Sequence, residues 1–462
     1  MRETYQVAVI GAGPAGMAAA VEAAGLNLSV VVLDAQPMPG GQLYRALETQ
    51  TSSQKNIFGD DYFQGGPLIE AFRQSGVEYV PGAKVWEVTQ NGAVHFLING
   101  EIRRIQADQI IIASGAQERP CPIPGWTLPG VMTAGAAQIL LKSASMGARD
   151  AVFAGSGPLL YLVVWQYVQA GLPVAAVLET TPSAHYLRAA PYVPMGLAAP
   201  ANLVKGLKLM AGLRKSGIPW VRNVEDVRID GEGEVRSVSY LKGASWRDIE
   251  TRHVFLHQGV VPDINLTVSI GCRHGWNEDQ ACRHVVRDQW GRTSVDGILV
   301  AGDGGSIGGG VAAGLQGRLS AIAVGEKLGA ISESERNRRS RNLLRSLARE
   351  RRARTFLDVL YAPRERFRRP VDDATVVCRC EGVTAGDVRS ATDLGSQGPN
   401  QLKVFTRAGM GPCQGRMCGL TISEIMAQTG GASVADSGYL RTRAPVLPIT
   451  LGALARFDES ET

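Results

Sequence analysis

The sequence predicts an α/β protein with two Rossmann-like dinucleotide-binding folds followed by a small helical domain. Three observations carry that class. Residues 5–34, YQVAVIGAGPAGMAAAVEAAGLNLSVVVLD, read as strand, glycine turn, alanine-rich helix and second strand. A second unit of the same kind opens at Ala151 with AVFAGSGPLL. Four of the seven cysteines then gather in VVCRCEGVT and GMGPCQGRMCG, as one C-x-C and one C-x4-C pair. The 462 residues suit about three domains, and an apolar fraction of 45% is enough to bury sizeable cores.

In the first unit, Val7–Ile10 runs into Gly11-x-Gly13-x-x-Gly16. Gly11 permits the tight turn, Gly13 lets a pyrophosphate approach the backbone, and Gly16 lets helix and strand pack closely. The helix N-terminus offers amide donors to phosphate. Asp34 ends the second strand 18 residues past Gly16, placed to accept hydrogen bonds from ribose hydroxyls. Pro39-Gly40-Gly41-Gln42 follows, where adjacent glycines let backbone approach a flat ring. Residues 78–112 alternate strand-like runs with turn signals and predict a small β-meander. It ends in an apolar strand that enters the Ala113-Ser114-Gly115-Ala116 turn.

The second unit keeps Gly155-x-Gly157 but has Leu160 at the third glycine position, which puts its nucleotide geometry in question. Glu179, at the end of its strand, suits a ribose diol and would repel a 2′-phosphate. Residues 251–266 return to strand and turn, and Val295–Val300 is predicted as a buried strand closed by Gly302-Asp303. A helix is expected from about Gly310, its amides facing an electron-rich ring edge.

Residues 336–369 contain thirteen arginines against Glu350, Asp358 and Glu365, a local charge of +10. The chain as a whole is +5, so the remainder is −5 and the basic character belongs to this segment. Leu343, Leu347, Leu357 and Tyr361 fall at near-helical spacing, which predicts an amphipathic linker helix. With few aromatics for stacking, nucleic acid is not the expected partner. No apolar run reaches about 18 residues, so no transmembrane segment is predicted. The apolar N-terminus is a glycine fingerprint with no cleavage site after it, which argues against a signal peptide. Paired thiols suggest a reducing compartment, the cytoplasm.

Cys378, Cys380, Cys413 and Cys418 can hold a [2Fe-2S] cluster or a tetrahedral zinc. The spacing argues for iron–sulfur, since structural zinc sites usually use C-x2-4-C pairs. Helices are expected over 384–392 and 420–429, with a tight loop over 409–417 offering amides to sulfur. The tail over 439–455, with Pro445 and Pro448, reads as an extended arm packing back on the molecule. The organisation is therefore a discontinuous first fold over 1–116 and 251–330, a second over 117–250, a linker over 331–370, the four-cysteine domain over 371–430 and an arm over 431–462.

GAGPAG at 11–16, Asp34, the ASGA turn at 113–116, the second GSGP unit and VDGILVAGD at 295–303 resemble the two-dinucleotide-domain flavoproteins, which include glutathione-reductase-like and thioredoxin-reductase-like proteins. The resemblance implies FAD. It assigns the binding to Gly11, Gly13, Pro14, Ala15, Gly16, Asp34, Ala35, Gly41, Gln42, Ala113, Gly115, Gly302, Asp303, Gly310, Val311 and Ala312. The redox-active C-x-x-C of the disulfide reductases is absent; Cys121, Cys272 and Cys282 are isolated and read as buried thiols. The four-cysteine stretch resembles the domain of bacterioferritin-associated ferredoxin, which implies that Cys378, Cys380, Cys413 and Cys418 ligate a [2Fe-2S] cluster.

The order of parts resembles the α subunits of bacterial amino-acid-oxidising flavoenzymes: opine oxidases, hydroxyproline and proline dehydrogenases, and hydrogen cyanide synthases. That resemblance implies a hetero-oligomer. Its β subunit, similar to glycine or sarcosine oxidases, carries its own FAD and oxidises the C–N bond, and a small γ subunit is a further partner. It also implies FMN between subunits in some members, and ATP or another adenine nucleotide at Gly155, Gly157 and Glu179. No acid–base pair for substrate oxidation stands out, and none of the six histidines lies in a motif. Two competing readings are a self-sufficient NADH-dependent reductase and a non-enzymatic docking protein using the four-cysteine domain.

Overall fold

Strand β1 (Thr4–Ile10) has apolar residues on both of its faces, and both faces are buried. Val7 and Val9 enter one core, while Ala8 and Ile10 enter another on the opposite side of the sheet. The same split divides Val30 and Val32 from Val31 and Leu33 on β2 (Val30–Asp34). A parallel sheet covered on both sides needs such unbroken apolar strands. Each fully buried Val, Leu or Ile side chain contributes about 2 kcal/mol.

The computed structural model describes residues 1–51 and 54–457. The last five residues of the expected arm, 458–462, lie outside the described residues. The first sheet runs β3-β2-β1-β6-β5-β4, with β3 at Glu78–Pro81, β4 at Lys84–Val88, β5 at Ala93–Ile98 and β6 at Glu101–Ile112. The expected meander is therefore smaller than 78–112. β4, β5 and β6 form it, whereas β3 pairs parallel with β2. The reason is the length of β6. Its first half pairs antiparallel with β5, and its last residues pair parallel with β1 and with Ile298–Val300. The expected strand 295–300 is shortened to those three residues because Gly297 turns the chain at φ +76°.

A strand at Ala116–Glu118 (β7) pairs antiparallel with Val260–Pro262, forming the crossover between the two folds. The second sheet is parallel throughout. It contains Val131–Thr133, Ala151–Gly155, Val174–Glu179, Trp220–Val221 and Val254–His257. Val254–His257 lies within 251–330 yet pairs with Ala151–Gly155, so the chain completes the second sheet before it crosses back. A separate antiparallel sheet, Asp226–Asp230, Ser237–Lys242 and Ser245–Glu250, shares a core with one face of the second sheet, through Val227, Ile229 and Val238 against Val152, Ala154 and Val254.

The linker is chiefly one helix, Glu333–Leu360, capped by Ser332 and buried through Leu343, Leu347 and Leu360, followed by one short turn of helix at Glu365–Arg368. Beyond it, Thr384 caps Ala385–Asp393 through a capping box with Asp387. Gly419–Gly430 is the second expected helix. A further helix, Pro399–Thr406, was not anticipated; Pro399 stands at its start, where its missing N–H costs nothing. These helices enclose a core of their own around Val388, Leu402, Ile422, Ile425 and Leu440. Among the described residues, no helix is long and apolar enough to cross a membrane.

Candidate functional site

Four backbone turns meet beyond the carboxyl ends of the first sheet. Gly11, at φ +100°, packs so closely on the Ala113 carbonyl that a Cβ would lie 2.6 Å from its oxygen. A Cβ on Gly16 would overlap the Gly11 carbonyl, so helix Pro14–Ala24 can sit this close only with glycine there. Gly41, at φ +60°, approaches Gly13 to the point where its Cβ would be 2.8 Å from the Gly13 Cα. The Gly302 turn closes from the other side against Ala15, and Gly304 packs on Ser114. Ala15 and Ala312 are buried in the helix contact that positions these turns. Pro14 opens the helix behind Gly13. Val311 is 64% exposed.

Asp34 ends β2 with its carboxylate 6% exposed. Oδ1 accepts from the Gln36 amide at 3.2 Å, while Oδ2 is buried without a partner. Burial pushes this carboxyl above the usual carboxylate range. Tyr79 Oη faces Asp34 closely enough for the two groups to interact, but Tyr79 Oη and Arg45 Nε, like Asp34 Oδ2, make no hydrogen bond of good geometry. An orphaned carboxylate oxygen, a phenol and a guanidinium N–H match a ribose diol and the phosphate attached to it. Ala35 is exposed just past this group. Arg45 escaped the sequence reading; its signal was a cation four residues after Gly41, in GGQLYR.

Asp303 accepts from the amides of Gly308 (2.8 Å) and Gly309 (3.0 Å), which shapes the loop before helix Gly310–Lys327. Arg287 secures the same loop by donating to Val300 O at 2.6 Å and to Ser306 Oγ at 3.1 Å. Lys142, 4% exposed, donates to the carbonyls of Gln42 (3.3 Å) and Leu43 (3.0 Å). Burial, with Arg45 nearby, lowers its pKa to about 7. Neither residue carried a sequence signal, since neither acts on a chain neighbour: Lys142 reaches carbonyls 99 and 100 residues away, and Arg287 reaches acceptors 13 and 19 residues on.

The second fold is built differently. Leu160 is fully buried in the position of the third glycine. Glu179 is 2% exposed and its oxygens are already engaged. Oε1 accepts from Tyr161 (2.8 Å) and Tyr186 (3.1 Å), Oε2 accepts from Trp220 Nε1 (2.9 Å), and Arg222 lies 3.7 Å away. A Cβ on Gly155 would overlap the His257 carbonyl, while Gly157 lies close to His257 Nε2 and Tyr361. Arg364, past the linker helix, donates to Thr180 O at 2.8 Å. Glu179 spends most of its acceptor capacity on the protein's own donors, which disfavours a ribose diol there.

The four cysteines come together as two pairs. The Cys418 thiol and the amides of Gly409, Glu381 and Cys380 hold the Cys378 thiol down at about 6. Cys418 is raised well above the ordinary thiol by its bond to Cys378 and by burial. Cys380, the exposed member, is raised by burial of its sulfur and by its contact with Cys413. Among the described residues, no three His, Cys, Asp or Glu side chains enclose a single ion. Two pairs of sulfurs suit a two-iron cluster, in which each iron takes two thiolates. Cys121, Cys272 and Cys282 are buried, and burial pushes Cys121 up to about 12 and Cys282 to about 11, which makes both unreactive.

Residues 5–317 match the family model described as Pyridine nucleotide-disulphide oxidoreductase. The chain belongs to that family. Residues 373–456 match a second model, Sarcosine oxidase A3 domain, a match that runs past residue 430 into the tail. The chain is 43% identical to an opine oxidase subunit of Agrobacterium tumefaciens, over 100% of this chain and 93% of that protein. It is 42% identical to the corresponding opine oxidase subunit of Rhizobium meliloti, over 100% and 89%. It is 33% identical to hydrogen cyanide synthase subunit HcnB of Pseudomonas aeruginosa, over 96% and 97%. This member of the pyridine nucleotide-disulphide oxidoreductase family thus shares a family with those proteins along its whole length. In fold it is similar to L-proline dehydrogenase from P. horikoshii, with a TM-score of 0.74 at 20% identity over 98% of this chain and 80% of that one. The thioredoxin reductase of T. acidophilum matches with a TM-score of 0.52 at 21% identity, over 71% and 99%.

Proposed function

We propose that this chain is the electron-transfer subunit of a heteromeric oxidoreductase that oxidises the C–N bond of a secondary-amine amino acid, such as an opine, proline or hydroxyproline, on a partner subunit. The observation that carries the reading is the orphaned Asp34 Oδ2 beneath a cradle of glycine turns, which supports FAD in the first fold. Gly11, Gly13, Gly41 and Gly302 would admit the dinucleotide backbone to backbone, and Asp34, Tyr79 and Arg45 would hold its ribose and phosphate end. Asp303 and Arg287 fix the loop at the other end, and Lys142 fixes the Gln42–Leu43 carbonyls.

Cys378, Cys380, Cys413 and Cys418 would ligate a [2Fe-2S] cluster, and amides aimed at Cys378 favour its thiolate. When bound, FAD and the cluster supply two-electron and one-electron redox chemistry, respectively. The protein residues bind, orient and insulate these groups. Substrate chemistry is assigned to a partner resembling glycine or sarcosine oxidases, in keeping with relatives that are named as subunits. FMN, if held at the interface with that partner, would lie against it. The internal engagement of Glu179 by Tyr161, Tyr186 and Trp220, with Leu160 in place of the third glycine, argues against a self-sufficient NADH reductase. The paired thiols and FAD cradle argue against a docking protein without redox function.

The test is to purify the chain alone and with its co-expressed partner subunit. The lone chain should carry flavin and about two irons, and NADH should leave it oxidised. An opine, proline or hydroxyproline should bleach the complex alone. Bleaching of the lone chain by NADH would replace this reading with that of a reductase.

A further inference from the structure

The loop carrying Cys413 and Cys418 is fastened to the first fold rather than to its own domain alone. Between those cysteines, Arg416 places Nε 3.4 Å from Asp263 Oδ2 and donates through Nη1 to Val446 O at 3.0 Å. Its carbonyl accepts from Gln117 Nε2 at 2.8 Å, and the Gln414 carbonyl accepts from Asn265 Nδ2 at 3.0 Å. The Arg416 amide donates to Cys413 O at 3.1 Å.

Asp263 is tied in turn to the Ala113–Ala116 turn. Its amide donates to Gly115 O at 3.1 Å, and its carbonyl accepts from Ser114 Oγ at 2.9 Å. Gln117 lies on β7, two residues past Gly115. A single residue, Asp263, therefore touches both the turn assigned to the flavin nucleotide and the loop assigned to the cluster.

An apolar contact could join these two segments without the desolvation cost of a partly buried ion pair. The side chains of Arg416 and Asp263 are 18% and 27% exposed, so each charge acts through a medium less polarisable than water. A cation in the ligand loop favours the more negative, reduced state of a nearby cluster, and its carboxylate partner opposes that effect.

We propose that Asp263 and Arg416 are positioning residues that seat the cysteine loop on the flavin turn and set the cluster's potential by their opposed charges. This rests on the FAD and [2Fe-2S] reading above.

The experiment uses the holoprotein co-purified with its partner subunit, in wild-type, Arg416→Gln, Arg416→Lys, Asp263→Asn and Arg416→Gln/Asp263→Asn forms. The readouts are the cluster midpoint potential, from a redox titration followed by electron paramagnetic resonance, and amide hydrogen exchange over 409–418. Arg416→Gln should shift the potential to more negative values and Asp263→Asn to more positive ones. The double variant should return towards wild type, and Arg416→Lys should stay close to it. Both single neutral variants should exchange about fivefold faster in the loop.

Mere loosening of the loop would move both single variants in the same direction, and that result would overturn the proposal, as would unmoved potentials. If Arg416→Gln fails to assemble, Asp263→Asn against Arg416→Lys decides the sign. Preparations that hold flavin and iron but lack the opposed shifts defeat this inference alone. Preparations without iron or flavin defeat both it and the reading beneath it.

Discussion

The two dinucleotide folds of this chain end their second strands in the same way, with a buried carboxylate beyond a glycine turn, and then diverge. Asp34 keeps one oxygen without a hydrogen bond of good geometry, as do the neighbouring Tyr79 hydroxyl and Arg45 Nε. Glu179 has both oxygens bound by Tyr161, Tyr186 and Trp220. A buried carboxylate without partners is costly, so the first fold keeps that arrangement where a ligand can supply hydroxyls. The second fold engages its carboxylate internally and uses it to bind two helices and a neighbouring strand to the strand end. The same strand-end position thus serves binding in one fold and stability in the other.

The largest contrast should come from the glycine turns. Gly16→Val forces a branched side chain into the Gly11 carbonyl and the Val9 side chain, and should cost about 3 kcal/mol with loss of bound flavin. Gly157→Ala meets nothing nearer than 3.9 Å, so its cost comes from φ +108° alone, about 1 kcal/mol, with flavin retained. Flavin absorbance per chain and denaturant midpoints would check both. Loss of flavin from Gly157→Ala would break the division of labour between the folds.

Swapping the two carboxylates for amides should separate stability from binding. Glu179→Gln turns one acceptor into a donor facing Tyr or Trp donors, and should destabilise the chain by about 2 kcal/mol at unchanged flavin affinity. Asp34→Asn should weaken flavin binding about tenfold while leaving the flavin-free protein at least as stable at neutral pH. The sign follows from burial. Because the folded-state carboxyl titrates above its unfolded value, the native state holds more protons in that interval, and stability of the flavin-free chain falls as pH rises through it. Asp34→Asn should remove that slope. Flavin titration and denaturation curves against pH would measure both, and a lower stability for flavin-free Asp34→Asn would contradict the assignment.

Much of this was legible in the sequence because it depends on local pattern. Gly11, Gly13, Gly16 and Asp34 lie within one strand–helix–strand unit, and the cysteine pairs within two short loops. Leu160 in place of glycine already marked the second fold as altered. What could not be read is how far-separated residues meet. Tyr161, Tyr186 and Trp220 reach Glu179 from three different elements. Asp263 and Arg416 are joined across 153 residues. The β3 strand looked like part of the meander because a strand's own sequence does not specify which neighbour it joins. Helix Pro399–Thr406 was missed because eight residues give little room for a period to show.

The smallest expected effect concerns Lys142, which ties the second fold's edge to the loop of the first. Its folded pKa of about 7 is below the ordinary lysine value of about 10.4. Between those values the unfolded chain holds more protons, so this group makes the protein more stable as pH rises from about 7 to about 10 and least stable below about 7. Lys142→Met keeps the length of the side chain and removes both the charge and the bonds to the Gln42 and Leu43 carbonyls. The variant should lose that rising limb of the stability curve and bind flavin slightly less well, since the loop carbonyls lose their donor. Stability measured at three or more pH values would decide it. A variant with the wild-type slope would mean that the buried amine is charged throughout, held by the two carbonyls and not depressed by burial.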